Sequence, residues 1–213
     1  MGAGKPKQFI ETEDGRSIIR RSVDAFRGGA GDAFFDLIVV TSPEDFLQET
    51  EESVNDGAPE EEKAYVIPGG KERQDSVLNA VKFLREHGMT AGDIVLIHDG
   101  ARPFVTQEII SDVARAAAEH EAAIAAVPVK ETIRDINNGT LDRSSLYTVQ
   151  TPQGFRFGLI EKAVESATAN GFYGTDDGGL VERQGVMPLI VQGSYDNIKI
   201  TTPGDLDILK VRK

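Results

Sequence analysis

Asp99 and Arg102 are the first pair in this chain whose types and spacing suit chemistry. The apolar run Ile94-Val-Leu-Ile97 leads into His98-Asp99, and Gly100, Ala101 and Pro103 then stop it. A short apolar run bounded by turn residues is the mark of a buried parallel strand. A carboxylate at the carboxyl end of such a strand sits where open α/β sheets bind ligands. Asp99 is suited to Mg²⁺ and Arg102 to forking onto phosphate. A strand-end Asp that caps the next turn fits the segment equally well.

Five other constellations carry reactive or binding types. Gly2-Ala3-Gly4-Lys5-Pro6-Lys7-Gln8 joins glycines, which let backbone amides approach a phosphate, with lysine charge. A plain chain terminus is the alternative there. Pro68-Gly69-Gly70-Lys71-Glu72-Arg73-Gln74-Asp75-Ser76 falls between a strand and a helix. Its glycines permit close backbone contact and Ser76 offers a hydroxyl; a simple strand-to-helix turn is the alternative. Asp142-Arg143 is followed by Gln150-Thr151-Pro152-Gln153. In Gly174-Thr175-Asp176-Asp177, helix capping by Thr175 with acids in the first turn is the competing reading. Lys199, in Asn197-Ile198-Lys199-Ile200-Thr201, lies in a strand-like stretch, where an ammonium must reach water or an anion.

The elements that must position these groups alternate. Phe35 to Thr41 reads as a buried strand, and Ser42-Pro43 as the N-cap and first residue of a helix. Ala64 to Ile67 is a second strand, and Arg73 to Arg85 repeats Val77, Ala80, Val81 and Leu84 at helical spacing. Asp93 to His98 is the third strand, Thr106 caps the next helix, and Ala122 to Val129 is the fourth strand. This rhythm predicts an α/β fold, Rossmann-like, with a mostly parallel sheet and helices on both faces. It breaks after Val129. Thr132 to Ile136, Asn137-Asn138-Gly139 and Leu146 to Val149 predict an inserted β-hairpin arm, at about 131–149, in a single domain. A helix over 156–169, another from Thr175, strands over 187–191 and 197–201, and a last helix from Thr202 close the chain.

Composition narrows the class. The 213 residues suit one domain, and 39% hydrophobic residues suffice for a core. A net charge of −12 argues against nucleic acid or an anionic membrane as partner. An anionic substrate therefore needs a locally basic or metal-bearing site. The absence of cysteine excludes thiol nucleophiles, disulfides and Cys-bound zinc. The three histidines are far apart in sequence, and no long apolar run or signal peptide stands out, so the cytoplasm is the expected compartment.

Taken in order, the motifs become specific. Lys5-Pro6-Lys7-Gln8, Gly69-Gly70-x-x-Arg73-x-x-Ser76, His98-Asp99-x-Ala101-Arg102-Pro103, Pro128-Val129-Lys130-Glu131-Thr132, Gln150-Thr151-Pro152-Gln153, Thr175-Asp176-Asp177 and Asn197-Ile198-Lys199 span nearly the whole chain. Together they resemble the 2-C-methyl-D-erythritol 4-phosphate cytidylyltransferase family of the non-mevalonate isoprenoid pathway. The ribitol-5-phosphate cytidylyltransferases share the fold and the CTP half. The run from Asp142 to Gln153, with Thr175-Asp176-Asp177 and Ser194 to Lys199, looks more like the methylerythritol family.

The resemblance implies a nucleotide-diphospho-sugar transferase type of fold and transfer of CMP from CTP to 2-C-methyl-D-erythritol 4-phosphate. It implies that Lys7 stabilises charge on the reacting phosphate and that Arg143 and Lys199 position the acceptor phosphate. Gly69, Gly70, Lys71 and Ser76 match the CTP loop, although the family often has Asp where this chain has Lys71. Asp99 matches the Mg²⁺-associated aspartate, Arg102 an arginine near the acceptor, and Thr132, Thr151 and Thr175 further substrate contacts. The arm is implied to clasp a second subunit in a homodimer whose partner completes each active site.

The family pattern opens with a strand and a Gly-rich loop ending in Arg-Met before Pro-Lys-Gln, and Met1 stands where that methionine does. The strand, most of the loop and its arginine are thus expected to be lacking, through an incomplete chain or a misplaced start. The loss of a central strand predicts two exposed sheet edges. A fold-retaining but inactive nucleotide-binding or scaffolding protein is the reading from another class. Between Gly139 and Asp142 the arm is also shorter than the family pattern, which bears on the dimer clasp.

Overall fold

A computed structural model describes residues 6–27 and 35–211, apart from a few side chains of the last helix and the turn before it. Gly2 to Lys5 of the N-terminal motif lie outside the described residues. The chain runs α1 (Ile18–Asp24), β1 (Val39–Ser42), α2 (Leu47–Asn55), β2 (Tyr65–Pro68), α3 (Arg73–Glu86), β3 (Ile94–Ile97) and α4 (Gln107–His120). It continues through β4 (Ala122–Pro128), β5 (Arg134–Asp135), β6 (Gly139–Thr140), β7 (Tyr147–Arg156), α5 (Phe157–Ala169), α6 (Asp177–Glu182), β8 (Leu189–Gln192) and α7 (Leu206–Val211).

Strands β1 and β2 pair in parallel. A second sheet has the order β3-β7-β4-β8, with β4 and β8 parallel and β7 antiparallel to both β3 and β4. The expected α/β architecture with helices on both faces is thus present, with one strand of the four reversed. Val77, Val81 and Leu84 of α3 pack with Phe157, Ile160 and Val164 of α5 on one face. Ile109, Ile110, Val113 and Ala117 of α4 cover the other. Small residues of β4 divide between the faces: Ala122 joins the first cluster, and Ala123 and Ala125 the second. This is the period-two alternation of a strand buried on both sides.

Among the described residues β1 pairs only with β2 and β3 only with β7. A cleft of about 820 Å³, lined by Val39, Val40, Val95, Leu96 and Ile97 among others, separates these two strands. The edges of β1 and β3 that line it pair with no further strand among the described residues.

Four expectations need correction. Ser42 ends β1 rather than capping a helix; its hydroxyl meets Thr50 Oγ1 at 2.7 Å, and a 3-10 turn at Glu44–Phe46 precedes α2. Leu146 to Val149 does not pair with 132–136. Tyr147 to Val149 is the start of the ten-residue β7, and the arm's hairpin is the short β5-β6 pair. The register of β4 on β7 slips between Ile124 and Ala126, so Pro152 sits at an irregularity that tolerates its missing donor. Asn197 to Thr201 is not a strand; its main-chain tie to the core is Ile200 N donating to Ala101 O at 2.8 Å. Asp176, not Thr175, caps α6, through Gly179 N at 3.0 Å.

Candidate functional site

Asp99 follows β3 and is the electrostatic centre of the site. Its Oδ2 lies 3.1 Å from Lys199 Nζ and 3.1 Å from Arg102 Nε, and its Oδ1 lies 3.6 Å from Arg73 Nε. Burial pushes the Asp99 carboxyl up, but Lys199, Arg73 and Arg102 outweigh it and hold the group below the usual carboxylate range. A carboxylate facing three cations leaves a net positive surround, which suits a polyanion despite the acidic chain.

The backbone that carries Asp99 is braced from β7. Asp99 N donates to Thr151 Oγ1 at 3.0 Å, and the Thr151 hydroxyl meets His98 Nδ1 at 3.1 Å. His98 Nε2 lies 3.2 Å from the Arg102 carbonyl. These partners define the tautomer: Nδ1 accepts from Thr151 and Nε2–H donates to Arg102. Burial lowers the His98 pKa to about 4, so the ring is neutral at ordinary pH. Arg102 in turn donates through Nη1 to Asn197 O at 2.7 Å, and Asn197 Nδ2 donates to Thr151 O at 2.8 Å. Lys7 Nζ donates to Ile200 O at 3.0 Å, one residue from Lys199. One network thus joins Lys7, Asp99 with Arg102, Thr151 and Lys199 from four parts of the sequence.

The glycine turn lies between β2 and α3. Gly69 N donates to Ser42 O at 2.7 Å and Gly70 N to Ser76 Oγ at 2.9 Å. A Cβ on Gly70 would fall 2.1 Å from Asp75 Cβ, so only glycine fits. Asp75 closes the turn by accepting from Glu72 N at 3.1 Å. Lys71 is exposed beside it.

Other expected residues lie apart. Arg143 donates to the Lys130 carbonyl within the arm, and Thr132 is an exposed arm residue. No ion pair found among the described residues joins Arg143 to Asp99. Thr175 is exposed and lines a small cavity, of about 100 Å³, with Arg73, Asp176 and Asp177. Thr151 is buried, its hydroxyl engaged with Asp99 and His98, which makes it a brace for the site from within.

Sequence reasoning passed over His98, Asn197, Arg73 and Asp177 as site members. Arg73 lay within the quoted glycine motif, and its spacing was the available signal. For Asp177, capping chemistry masked the role.

Mg²⁺ takes oxygen ligands and is commonly held by one or two carboxylates plus substrate phosphates. No group of three or more His, Cys, Asp or Glu side chains suited to a metal forms among the described residues. The single carboxylate of Asp99 therefore fits Mg²⁺ when a phosphate ligand supplies further oxygens.

A mixed α/β sheet with a glycine turn beside a carboxylate ringed by cations has the layout of a nucleotidyltransferase. The model of the family "IspD: 2-C-methyl-D-erythritol 4-phosphate cytidylyltransferase" matches residues 1–211. The chain belongs to this family. It is 43% identical to the 2-C-methyl-D-erythritol 4-phosphate cytidylyltransferase of Bacillus thuringiensis (strain Al Hakam), covering 97% of this chain and 88% of that protein. The protein of the same description from Geobacter metallireducens is 40% identical, with coverage of 97% and 88%. Among solved structures, the Francisella tularensis enzyme superposes with a TM-score of 0.81 at 31% identity, over 96% of this chain and 91% of that one. The 4-diphosphocytidyl-2C-methyl-D-erythritol synthase of Anaerococcus prevotii gives 0.83 at 28% identity, with coverage of 99% and 91%.

Proposed function

We propose that this chain transfers CMP from CTP to 2-C-methyl-D-erythritol 4-phosphate, giving 4-diphosphocytidyl-2-C-methyl-D-erythritol and pyrophosphate. The observation that carries the reading is the meeting of Lys199, Arg102 and Arg73 on Asp99 beside the glycine turn. The acceptor's phosphate oxygen attacks the α-phosphorus of CTP in line. A new P–O bond forms, the bond to the bridging oxygen breaks, and pyrophosphate leaves with that electron pair. Such chemistry needs no protein nucleophile; it needs two polyanions held in line and their charge offset.

The roles follow the placement. Lys199, 40% exposed at its side chain, positions the acceptor phosphate. Lys7 offsets charge on the transferring phosphoryl group, and Arg102 flanks the acceptor. Gly69, Gly70, Lys71 and Ser76 form the cytidine subsite, where backbone amides approach the base and ribose. Thr175 extends the acceptor side. Asp99 would hold Mg²⁺ jointly with the triphosphate, and the metal when bound offsets charge on the phosphate oxygens.

A homodimer fits the arm. Ile136 is 95% exposed, and Ile133, Leu141, Tyr147 and Val149 are also exposed. Such an apolar surface suits a protein partner. Arg143 and Thr132, both on the arm, would then serve the partner's site. No helix of the described residues is long and apolar enough to cross a membrane.

Turnover with the two acceptors tests the assignment. The methylerythritol phosphate is expected to be used and ribitol 5-phosphate refused. Faster turnover of ribitol 5-phosphate would transfer the chain to the other substrate class.

A further inference from the structure

Asp177 is the most deeply buried acid that the proposed reaction leaves unused: it is 0% exposed, in the first turn of α6. Its two oxygens take the two ends of one guanidinium, Arg73 Nη1 to Oδ1 at 3.0 Å and Nη2 to Oδ2 at 2.6 Å. This is the bidentate fork that fixes both distance and plane. The third nitrogen, Arg73 Nε, is turned to Asp99 Oδ1 at 3.6 Å. Arg73 is also the first residue of α3, three residues after Gly70. One side chain therefore touches the carboxylate at the reaction centre, and its own backbone continues the glycine turn.

The anchorage of Arg73 is reinforced on both sides. Gln74 Nε2 donates to Phe172 O at 2.9 Å, and Gly174 N donates to Gln74 Oε1 at 3.0 Å. Gln153 of β7 donates to Asp176 Oδ2 at 2.8 Å and accepts from Gly178 N at 2.9 Å. The first turn of α6 is thus tied to the central sheet, and the first turn of α3 is tied to the segment entering α6.

An ion pair whose carboxylate is buried, as here, adds little net stability, since an apolar pair of similar volume does as well or better. What the fork supplies is direction. Arg102 and Lys199 both approach Oδ2, and among the described residues Arg73 is the cation that faces Oδ1. We propose that Arg73, aimed by Asp177, is a positioning residue that sets the Asp99 carboxylate plane and couples it to the glycine turn. Both Nη groups are engaged by Asp177, so Arg73 acts through Asp99 rather than on a phosphate. This inference rests on the cytidylyl-transfer reading.

The test compares Arg73→Met, Asp177→Leu and the double variant with the wild type. Arg73→Met leaves the buried Asp177 carboxylate unpaired and is expected to lose stability, whereas Asp177→Leu leaves Arg73, 38% exposed at its side chain, with Asp99 as a remaining partner and is expected to lose less. The double variant removes both charges and is expected to melt near the wild type. Its kcat is nonetheless expected to fall by about 10–100-fold, the range for losing a supporting contact behind a metal-binding group. Half-saturation for Mg²⁺ should rise, and KM for the acceptor should stay within about twofold, because Lys199 and Arg102 are untouched. Arg73→Lys keeps the charge but cannot fork onto Asp177 while facing Asp99, and should recover less than half of kcat.

A double variant with wild-type kcat and wild-type Mg²⁺ dependence would overturn the inference and leave only a structural pair. Calorimetric titration of CTP with Mg²⁺ separates this from failure of the functional reading. A wild type that binds CTP without turning it over sinks that reading, and weaker binding by the double variant then still supports the positioning role. Equal CTP binding by the double variant would contradict that role. A wild type that neither binds nor turns over CTP overturns both.

Discussion

Lys199 Nζ and Arg102 Nε share one oxygen of Asp99, each at 3.1 Å from Oδ2. Arg102 is also tied to Asn197 O, whereas Lys199 has its side chain 40% exposed and is the freer of the two. Under the proposed function, Lys199 is the cation that turns toward the incoming acceptor phosphate. Lys199→Ala is expected to lower turnover by roughly 10²–10³, as for other preorganised charge stabilisers. Steady-state kinetics checks this. Unchanged kcat and unchanged acceptor KM would remove Lys199 from the site.

Gly70→Ala tests the cytidine subsite. The added Cβ would fall 2.1 Å from Asp75 Cβ and 2.8 Å from the Asp75 carbonyl carbon, so the turn must open. Overpacking of this type costs about 1–3 kcal/mol. KM for CTP should rise while KM for the acceptor holds. The reverse pattern would place cytidine elsewhere.

Thr151→Val removes a hydroxyl but little volume. Asp99 N then loses its acceptor and His98 Nδ1 its partner. A buried donor left unsatisfied costs about 1–3 kcal/mol. Thermal melting should register that loss, with a drop in kcat because Asp99 is no longer braced. A variant with wild-type stability and a raised acceptor KM alone would instead make Thr151 a direct substrate contact.

The acid limb of stability follows from His98. Its folded-state pKa, lowered by burial to about 4, lies below the 6.5 usual for histidine. The unfolded chain then binds the extra proton between those values, so stability rises with pH there. The contribution is present above about pH 6.5 and is lost as pH falls toward 4. Its full size is about 3 kcal/mol by the linkage conversion. Denaturant midpoints measured at intervals from pH 4 to 7, without metal, should fall toward acid. His98→Gln should flatten that slope, and an unchanged slope would assign the acid sensitivity to other groups.

Complementation tests the arm. If Arg143 serves the partner's site and Lys199 its own, mixing inactive Arg143→Ala and Lys199→Ala subunits regenerates one intact site per heterodimer. Random exchange would restore about a quarter of wild-type activity by symmetry counting. No recovery after proven subunit exchange would place both residues in one subunit's site, or neither in a shared one.

The legible parts of the sequence were those where periodicity and burial agree. β3, β4, α3 and α4 carry apolar residues at the spacing their faces require, and Thr106 caps α4 as read, accepting from Ile109 N. The central strand β7 was obscured because its buried residues include Gln150, Thr151 and Gln153, polar groups satisfied by long-range partners. Apolar patterning has no way to register such residues. Ile198 and Ile200 misled in the opposite sense. Their apolar alternation resembles a strand, yet the segment is held by side chains and single main-chain bonds. At the site, Asp99 and Arg102 were visible as charges at the end of an apolar run, and Lys199 as a lysine within a strand-like stretch. Arg73 and Asp177 were not, because their pairing spans 104 residues and appears only when α3 and α6 meet.

The central claim is that the cations gathered at Asp99 serve transfer of CMP from CTP. Pyrophosphate release from CTP, Mg²⁺ and 2-C-methyl-D-erythritol 4-phosphate tests it most directly, with Asp99→Asn as the paired variant. The account predicts release that needs the acceptor and falls by at least about a hundredfold in the variant. Folded wild-type protein that releases no pyrophosphate, or an Asp99→Asn variant that releases it at the wild-type rate, would contradict it.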